Sequence, residues 1–354
     1  MRESKWVRIF LWLAYALAWC SATVLGVWAI GATWYFQLLP AWVCKVLVIA
    51  FVSYFVWLWF TVEAKVVWLQ RLSLAITGIY CLTLLQQPTV DRVWAADQAQ
   101  LPKVSIEADQ VSVQNFRTCQ YRSESDFDVA YKEFNFKLSE LRGVWFLVQK
   151  FTWVEGLAHT FLTFEVETET GSEYFSVSVE IRREKGELYS PIKGIYRNFE
   201  LNYVIGEELD LIGVRTVMRP QDRVWMFPIN SDPESVQMLF VDIARRINQL
   251  AEQPEFYSTF FNNCTNNIVV HTYELTPEPI NAWDSRIVLP GYSGRFAYEQ
   301  ALIGRAGESY EQLLERCRID PQARRHGLKT GFSQAIRIPN NNQTHRLPQN
   351  AREK

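Results

Sequence analysis

Hydrophobic positions fall along this chain in two ways: nearly continuous before Pro88, alternating or at helical spacing after it. No charged residue occurs between Arg8 and Lys45. Ile9 to Phe36 is therefore long enough to cross a hydrocarbon layer that takes roughly 20 apolar residues. Ala41 to Phe60 makes a second span, with Lys45 near enough to one end to carry its ammonium to the interface. Leu72 to Leu85 is short for a third, and must borrow from Val66 to Gln70 or from Gln86 to Pro88. A cleavable signal peptide competes for the first stretch, but its apolar core is shorter and two more spans would not follow it.

Beyond Pro88 the period changes. Val111 to Phe116 and Phe134 to Leu138 alternate as strands. From His159, the residues His159, Phe161, Thr163 and Glu165 share one face, while Thr160, Leu162, Phe164 and Val166 share the other. That pattern predicts a half-buried strand whose apolar face is the even one. Gly171 interrupts it, and Phe175, Val177, Val179 and Ile181 then alternate with Ser176, Ser178, Glu180 and Arg182. Two such runs about a short turn form an antiparallel hairpin.

A turn centred near Glu169 and Thr170 pairs residues whose numbers sum to about 339, placing Glu180 opposite His159 on the polar face. A slip of two would substitute Ser178 or Arg182. Glu180 is favoured because a carboxylate fixes the tautomer of an imidazole and stabilises the imidazolium formed when it takes a proton.

Further strands are expected at Gly194 to Val204 and Val224 to Ile229. Between Pro233 and Ala251, Val236, Leu239, Phe240, Ile243, Ile247 and Leu250 recur at helical spacing, giving an amphipathic helix with one core face. Phe256 to Phe261 links that helix to Asn262-Asn263-Cys264-Thr265, where another helix can open with Asn262 or Asn263 as its cap.

Charge adds topology. Arg2, Lys5 and Arg8 precede the first span, Lys65 and Arg71 lie between the second and third, and Gln37 to Ala41 carries no charge. The positive-inside rule places the amino terminus and the second loop in the cytoplasm, so three spans deliver the rest to the far side, in a bacterium the periplasm or outer surface. The organisation expected is an anchor over residues 1–88, a soluble domain over 89–318, and a basic, disordered tail over 319–354. With 36 Lys and Arg against 38 Asp and Glu, net charge argues against a nucleic-acid partner.

Six cysteines are present. Cys20, Cys44 and Cys81 fall in spans as small apolar fillers. A Cys119–Cys317 bridge would leave Cys264 free, although spacing does not fix connectivity. No grouping has metal-ligand spacing and no phosphate loop occurs, so neither metal nor cofactor is expected.

Cys264 and His159 supply a thiol and an imidazole, the minimum for covalent catalysis by cysteine. A thiol opening a helix feels the positive end of its dipole, which favours the thiolate. The helix amides, with Asn263, Asn262 and Thr265, are candidates for holding an oxyanion or for capping. His271 shares a helix with Cys264 but lies about 10 Å along it. His326 and His345 belong to the tail. The plain alternatives are a buried turn cysteine and a histidine bonded to backbone.

Several segments together resemble the Lnb N-terminal periplasmic domain family: Asp91-Arg92-Val93-Trp94, Tyr121-Arg122-Ser123-Glu124, Ala158-His159-Thr160-Phe161-Leu162, Ser178 to Glu184, Asn262 to Asn266 and Leu289 to Ser293. The resemblance spans roughly Gln87 to Ile303. It implies an α+β protein: three transmembrane helices followed by a permuted papain-like domain, of NlpC type or like the lecithin retinol acyltransferase group, with an antiparallel sheet and helices. It further implies His159 as general base and Cys264 as nucleophile, while Glu180 as third residue comes from the register. The expected function is a multi-pass protein of the bacterial inner membrane, its periplasmic domain transferring a lipid-linked acyl group, as in lipoprotein N-acylation. Membrane lipid or lipoprotein is the expected partner. A cell-wall amidase or peptidase and a non-catalytic binding module are the alternatives.

Overall fold

The computed structural model describes residues 5–63, 65–151, 154–272, 280–281 and 283–338. The chain divides into two compact units.

The first unit holds three helices, α1 (Lys5–Trp34), α2 (Ala41–Thr61) and α3 (Lys65–Thr83), each long and apolar enough to cross a membrane. The short third span gains its length on the amino-terminal side, starting at Lys65. Ala22 and Ala29 of α1 join Phe55, Leu58, Leu72 and Ile76 in the bundle core, small residues letting the helices approach closely. The Lys65 ammonium bonds the carbonyls of Trp59 and Val62, which the end of α2 leaves without helical partners.

This unit exceeds the expected anchor. It runs to Thr89 and also includes Tyr189–Glu200 and Phe256–Thr259. Tyr196 lies where a Cβ on Gly31 would collide with its ring, and it stacks on Tyr35 at 5.4 Å. Asn198 donates to the Tyr35 carbonyl at 3.0 Å. The strand expected from Gly194 consequently starts only at Glu200, after a 3₁₀ turn at Lys193–Ile195.

The second unit is built on an eight-stranded mixed sheet, so the protein is α+β overall. Its strands are β1 (Lys103–Glu107), β2 (Gln110–Arg117), β5 (Tyr131–Lys137), β6 (Leu141–Lys150), β7 (Ala158–Thr168), β8 (Gly171–Arg182), β9 (Glu200–Glu207) and β10 (Arg223–Pro228). Short strands β3 (Gln120–Tyr121) and β4 (Phe127–Asp128) pair separately. The order is β1-β2-β9-β8-β7-β6-β10, with β5 also on β2. The β2–β9 bridge is parallel.

The β7–β8 hairpin has the register read from its sequence: Phe161 faces Ser178 and Thr168 faces Gly171, with Glu169 and Thr170 in the turn. Gly171 has φ of 129°, a conformation open to glycine.

Helix α5 (Pro233–Glu252) packs on the even face of β7. Asp232 caps it by accepting from Ser235 N at 2.9 Å, and Pro233 occupies the first turn, where its missing N–H costs nothing. Phe240 meets Phe136, Phe164 and Phe175 edge-on. Each ring so buried stabilises the fold by roughly 1.5–3 kcal/mol.

The odd face of β7 is buried as well, which corrects the expectation of a half-buried strand. Helix α4 (Glu208–Gly213), a π-helical turn at Val214–Met218, and helices α10 (Asp320–His326) and α11 (Phe332–Ala335) cover it. Leu147, Phe161, Ile212, Met226, Ile319 and Phe332 form the core between. Thr163 and Ser176 are polar yet fully buried because Glu208 bonds Thr163, which in turn accepts from Ser176.

The expected disordered tail is thereby corrected too. As far as Ile338 it is packed structure: Ile319, Ala323, Phe332 and Ile336 are core residues. Arg337 grips Glu208 with two bonds of 2.7 Å while lying 3.4 Å from the Tyr174 ring centre. Residues 339–354, with His345, lie outside the described residues.

Four shorter elements complete the unit: α6 (Cys264–His271), α7 (Ser285–Val288), α8 (Ser293–Glu299) and α9 (Tyr310–Cys317). Cys119 and Cys317 are separate buried thiols rather than a bridge, and burial pushes each up to about 12.

Candidate active site

Two neighbouring strands separate at the site. The β7–β8 ladder stops at Phe161–Ser178, although β7 begins at Ala158 and β8 runs on to Arg182. His159 and Glu180 occupy these unpaired ends, and α6 brings Cys264 to the same place.

Asn263 is the cap of α6. Its carboxamide oxygen accepts from the amides of Thr265 at 2.9 Å and Asn266 at 3.0 Å. Asn262 accepts from the Asn267 side chain at 2.8 Å and donates to Glu255 at 3.2 Å. The Thr265 hydroxyl lies 2.9 Å from that of Thr160. In these positions the three residues brace the helix start, and the two amides that Asn263 holds are turned to the cap.

The imidazole is defined by a chain of bonds. Ser178 donates its hydroxyl proton to Glu180 Oε1 at 2.6 Å, since a carboxylate can only accept. Its oxygen must therefore receive the bond from His159 Nε2, 2.7 Å away. That assigns a proton to Nε2, and leaves Nδ1 as the basic nitrogen of the neutral ring. Nε2 also lies 3.4 Å from Glu180 itself. The expected choice between Ser178 and Glu180 dissolves, because both hold the ring.

Arg215 anchors Glu180 through an ion pair, donates to the Leu211 carbonyl at 2.6 Å, and stands 5.0 Å from the Phe161 ring centre. It projects from the π-helical turn, a distortion frequent at functional sites. Gln149, opposite His159 on β6, is fully buried and donates to Asp222 at 2.6 Å. Arg182, the remaining alternative, points its guanidinium at the Gln98 and Ala99 carbonyls.

These contacts set the charges. Burial would raise Glu180, but the Arg215 and His159 charges, with bonds from His159 and Ser178, hold it well below the usual carboxylate range. Burial would lower His159, yet Glu180 and Cys264 raise it. Burial would also raise the Cys264 thiol. Hydrogen bonding and charge from His159, with help from Thr160, bring it down to about 7. The shift comes from these neighbours, while the helix amides are engaged by the cap.

His271 lies at the other end of α6. Its Nδ1 is 2.7 Å from Asp242 and its Nε2 is 2.8 Å from the Tyr203 hydroxyl. Arg215 and Gln149 went unseen in the sequence. A single cation inside the apolar run Leu211 to Val217 was the available signal for the first; the second carried none.

A thiol at a helix start and a carboxylate-held imidazole at a sheet fork, in a chain with three apolar spans, define a membrane-tethered α+β protein with a candidate thiol site. Residues 128–290, which contain His159, Ser178, Glu180, Arg215 and Cys264, match the family described as the Lnb N-terminal periplasmic domain. Spans and match together describe a membrane protein with a periplasmic domain. No curated protein and no solved structure matches the chain.

Proposed function

We propose that this is a multi-pass protein of a bacterial inner membrane, and that its periplasmic domain, of permuted papain-like type, is a cysteine-dependent acyltransferase acting on a lipid-linked acyl group. The observation that carries this reading is an imidazole held on its Nε2 side by Ser178 and Glu180, beside a buried thiol lowered to about 7.

His159 Nδ1 takes the Cys264 proton, and the thiolate attacks the ester carbonyl of the donor. The carbon–oxygen bond breaks, and the departing alkoxide receives the proton from imidazolium. An amine then attacks the acyl thioester, losing its proton to His159 as the thiolate leaves. The Cys264 N–H, first of its helix and without an intrahelical partner by position, faces the oxyanion. Glu180 stays ionised and steadies the imidazolium. A lipid-linked donor is favoured by the three apolar spans that tether the chain to a membrane.

Intact-mass analysis of the purified protein after exposure to native membrane lipids tests this. An acyl adduct on Cys264, lost in Cys264→Ser and kept in Cys20→Ser, is expected. An adduct that persists in Cys264→Ser overturns the proposal. Release of cell-wall peptides without acylation would transfer the same dyad to an amidase.

A further inference from the structure

A buried thiolate needs more than one donor. Cys264 is 4% exposed, and an isolated anion so placed costs several kcal/mol unless polar groups surround it. His159 serves one side. The Thr265 and Asn266 amides, the usual donors at a helix start, are spent on Asn263.

Thr160, through Thr265, supplies a second polar neighbour. It neighbours His159 on β7, at the last unpaired step before the ladder with β8 begins, and it is fully buried. Thr160 also helps to lower the thiol. Its hydroxyl lies 2.9 Å from that of Thr265, which is itself 4.0 Å from Cys264 Sγ. One residue is on the strand and the other on the helix, so the pair also ties α6 to the fork.

We propose that Thr160 and Thr265 form a hydroxyl pair that holds the Cys264 thiolate alongside His159, one hydroxyl donating to the other and the second to sulfur. Both are positioning residues: neither exchanges a proton with substrate. The pair fixes the direction of Sγ and favours the anion before any substrate arrives.

Resting on the nucleophile role proposed for Cys264, the pair is tested by alkylation rather than turnover, so a wrong acyl donor leaves the result intact. The full chain, reconstituted in lipid, is treated with iodoacetamide across pH, and modification of the Cys264 peptide is followed by mass spectrometry. The expected midpoint for the unaltered protein is about 7. Thr160→Val keeps the side-chain shape without the donor, and should raise the midpoint by about one unit, a roughly tenfold slower reaction at pH 6. Thr160→Ser should restore it, and Thr265→Val should produce a smaller rise.

A Thr160→Val profile that coincides with the unaltered one overturns the proposal. Should Thr160→Val fail to fold, Thr265→Val decides: a raised midpoint at unchanged melting temperature supports the pair, and a coincident profile overturns it.

Discussion

A histidine beside a carboxylate stands at each end of α6, His159 of β7 near its start and His271 as its last residue, and the two behave oppositely. His159 is raised, and His271 is lowered. Burial disfavours the cation at both. The difference lies in the carboxylates, and in the Cys264 thiol that also raises His159. The Glu180 side chain is 17% exposed and pinned by Arg215, so its charge acts through little water; that of Asp242 is 41% exposed, and solvent screens it. Arg246 further opposes a charge on His271. An imidazole–carboxylate contact alone therefore does not make a base. It must include a carboxylate kept dry and kept charged.

The largest test of that contrast removes the pinned charge. Glu180→Gln leaves Arg215 buried without its counter-ion and should cost about 3–5 kcal/mol, read by thermal or urea unfolding. Asp242→Asn, half solvated, should cost about 1 kcal/mol or less. Equal losses at the two positions would erase the distinction.

A comparable but smaller loss, about 3 kcal/mol, is expected for Arg337→Ala, which strands Glu208 at the start of α4. Because α4 runs into the turn that bears Arg215, the alkylation midpoint of Cys264 should also climb. A variant as stable as the parent would return residues 319–338 to the status of a tail.

Next comes His159→Asn. Without the ring, the Cys264 midpoint should move from about 7 toward the ordinary thiol value of ~8.5, slowing alkylation at pH 6 by ten- to thirtyfold. His271→Asn should leave the midpoint in place.

The smallest effect concerns pH and stability. His271 has a folded-state value below its free value of 6.5, so the unfolded chain binds the extra proton first. Its contribution is fully present above pH 6.5 and is lost as pH falls through that value toward the folded one. Stability should fall across that window, and His271→Asn should flatten the loss in unfolding curves measured at pH 7 and pH 5.

Local pattern carried much of this architecture. The three apolar stretches, the β7–β8 register and the cap of α6 depend on residues close in sequence, where spacing alone states the geometry. Strand β6 went unread because Leu141–Lys150 lies between β7 and β10 in a part of the sheet covered on both faces. There Val144-Trp145-Phe146-Leu147-Val148 shows no alternation. The polar face of β7 was legible as polar, but its burial was not, since Glu208 and Arg337 arrive from far along the chain.

The amino-acid sequence by itself determined that a membrane anchor precedes an α+β domain, and that His159 and Glu180 share one face of a hairpin. Those properties follow from hydrophobic length and the two-residue repeat of a strand. Only the tertiary structure decided that the hairpin forks where Cys264 enters, that Arg215 keeps Glu180 charged, and that the carboxyl-terminal helices close the face. A charge in the interior is tolerated only through partners in space, and no local spacing encodes which distant residue will be that partner.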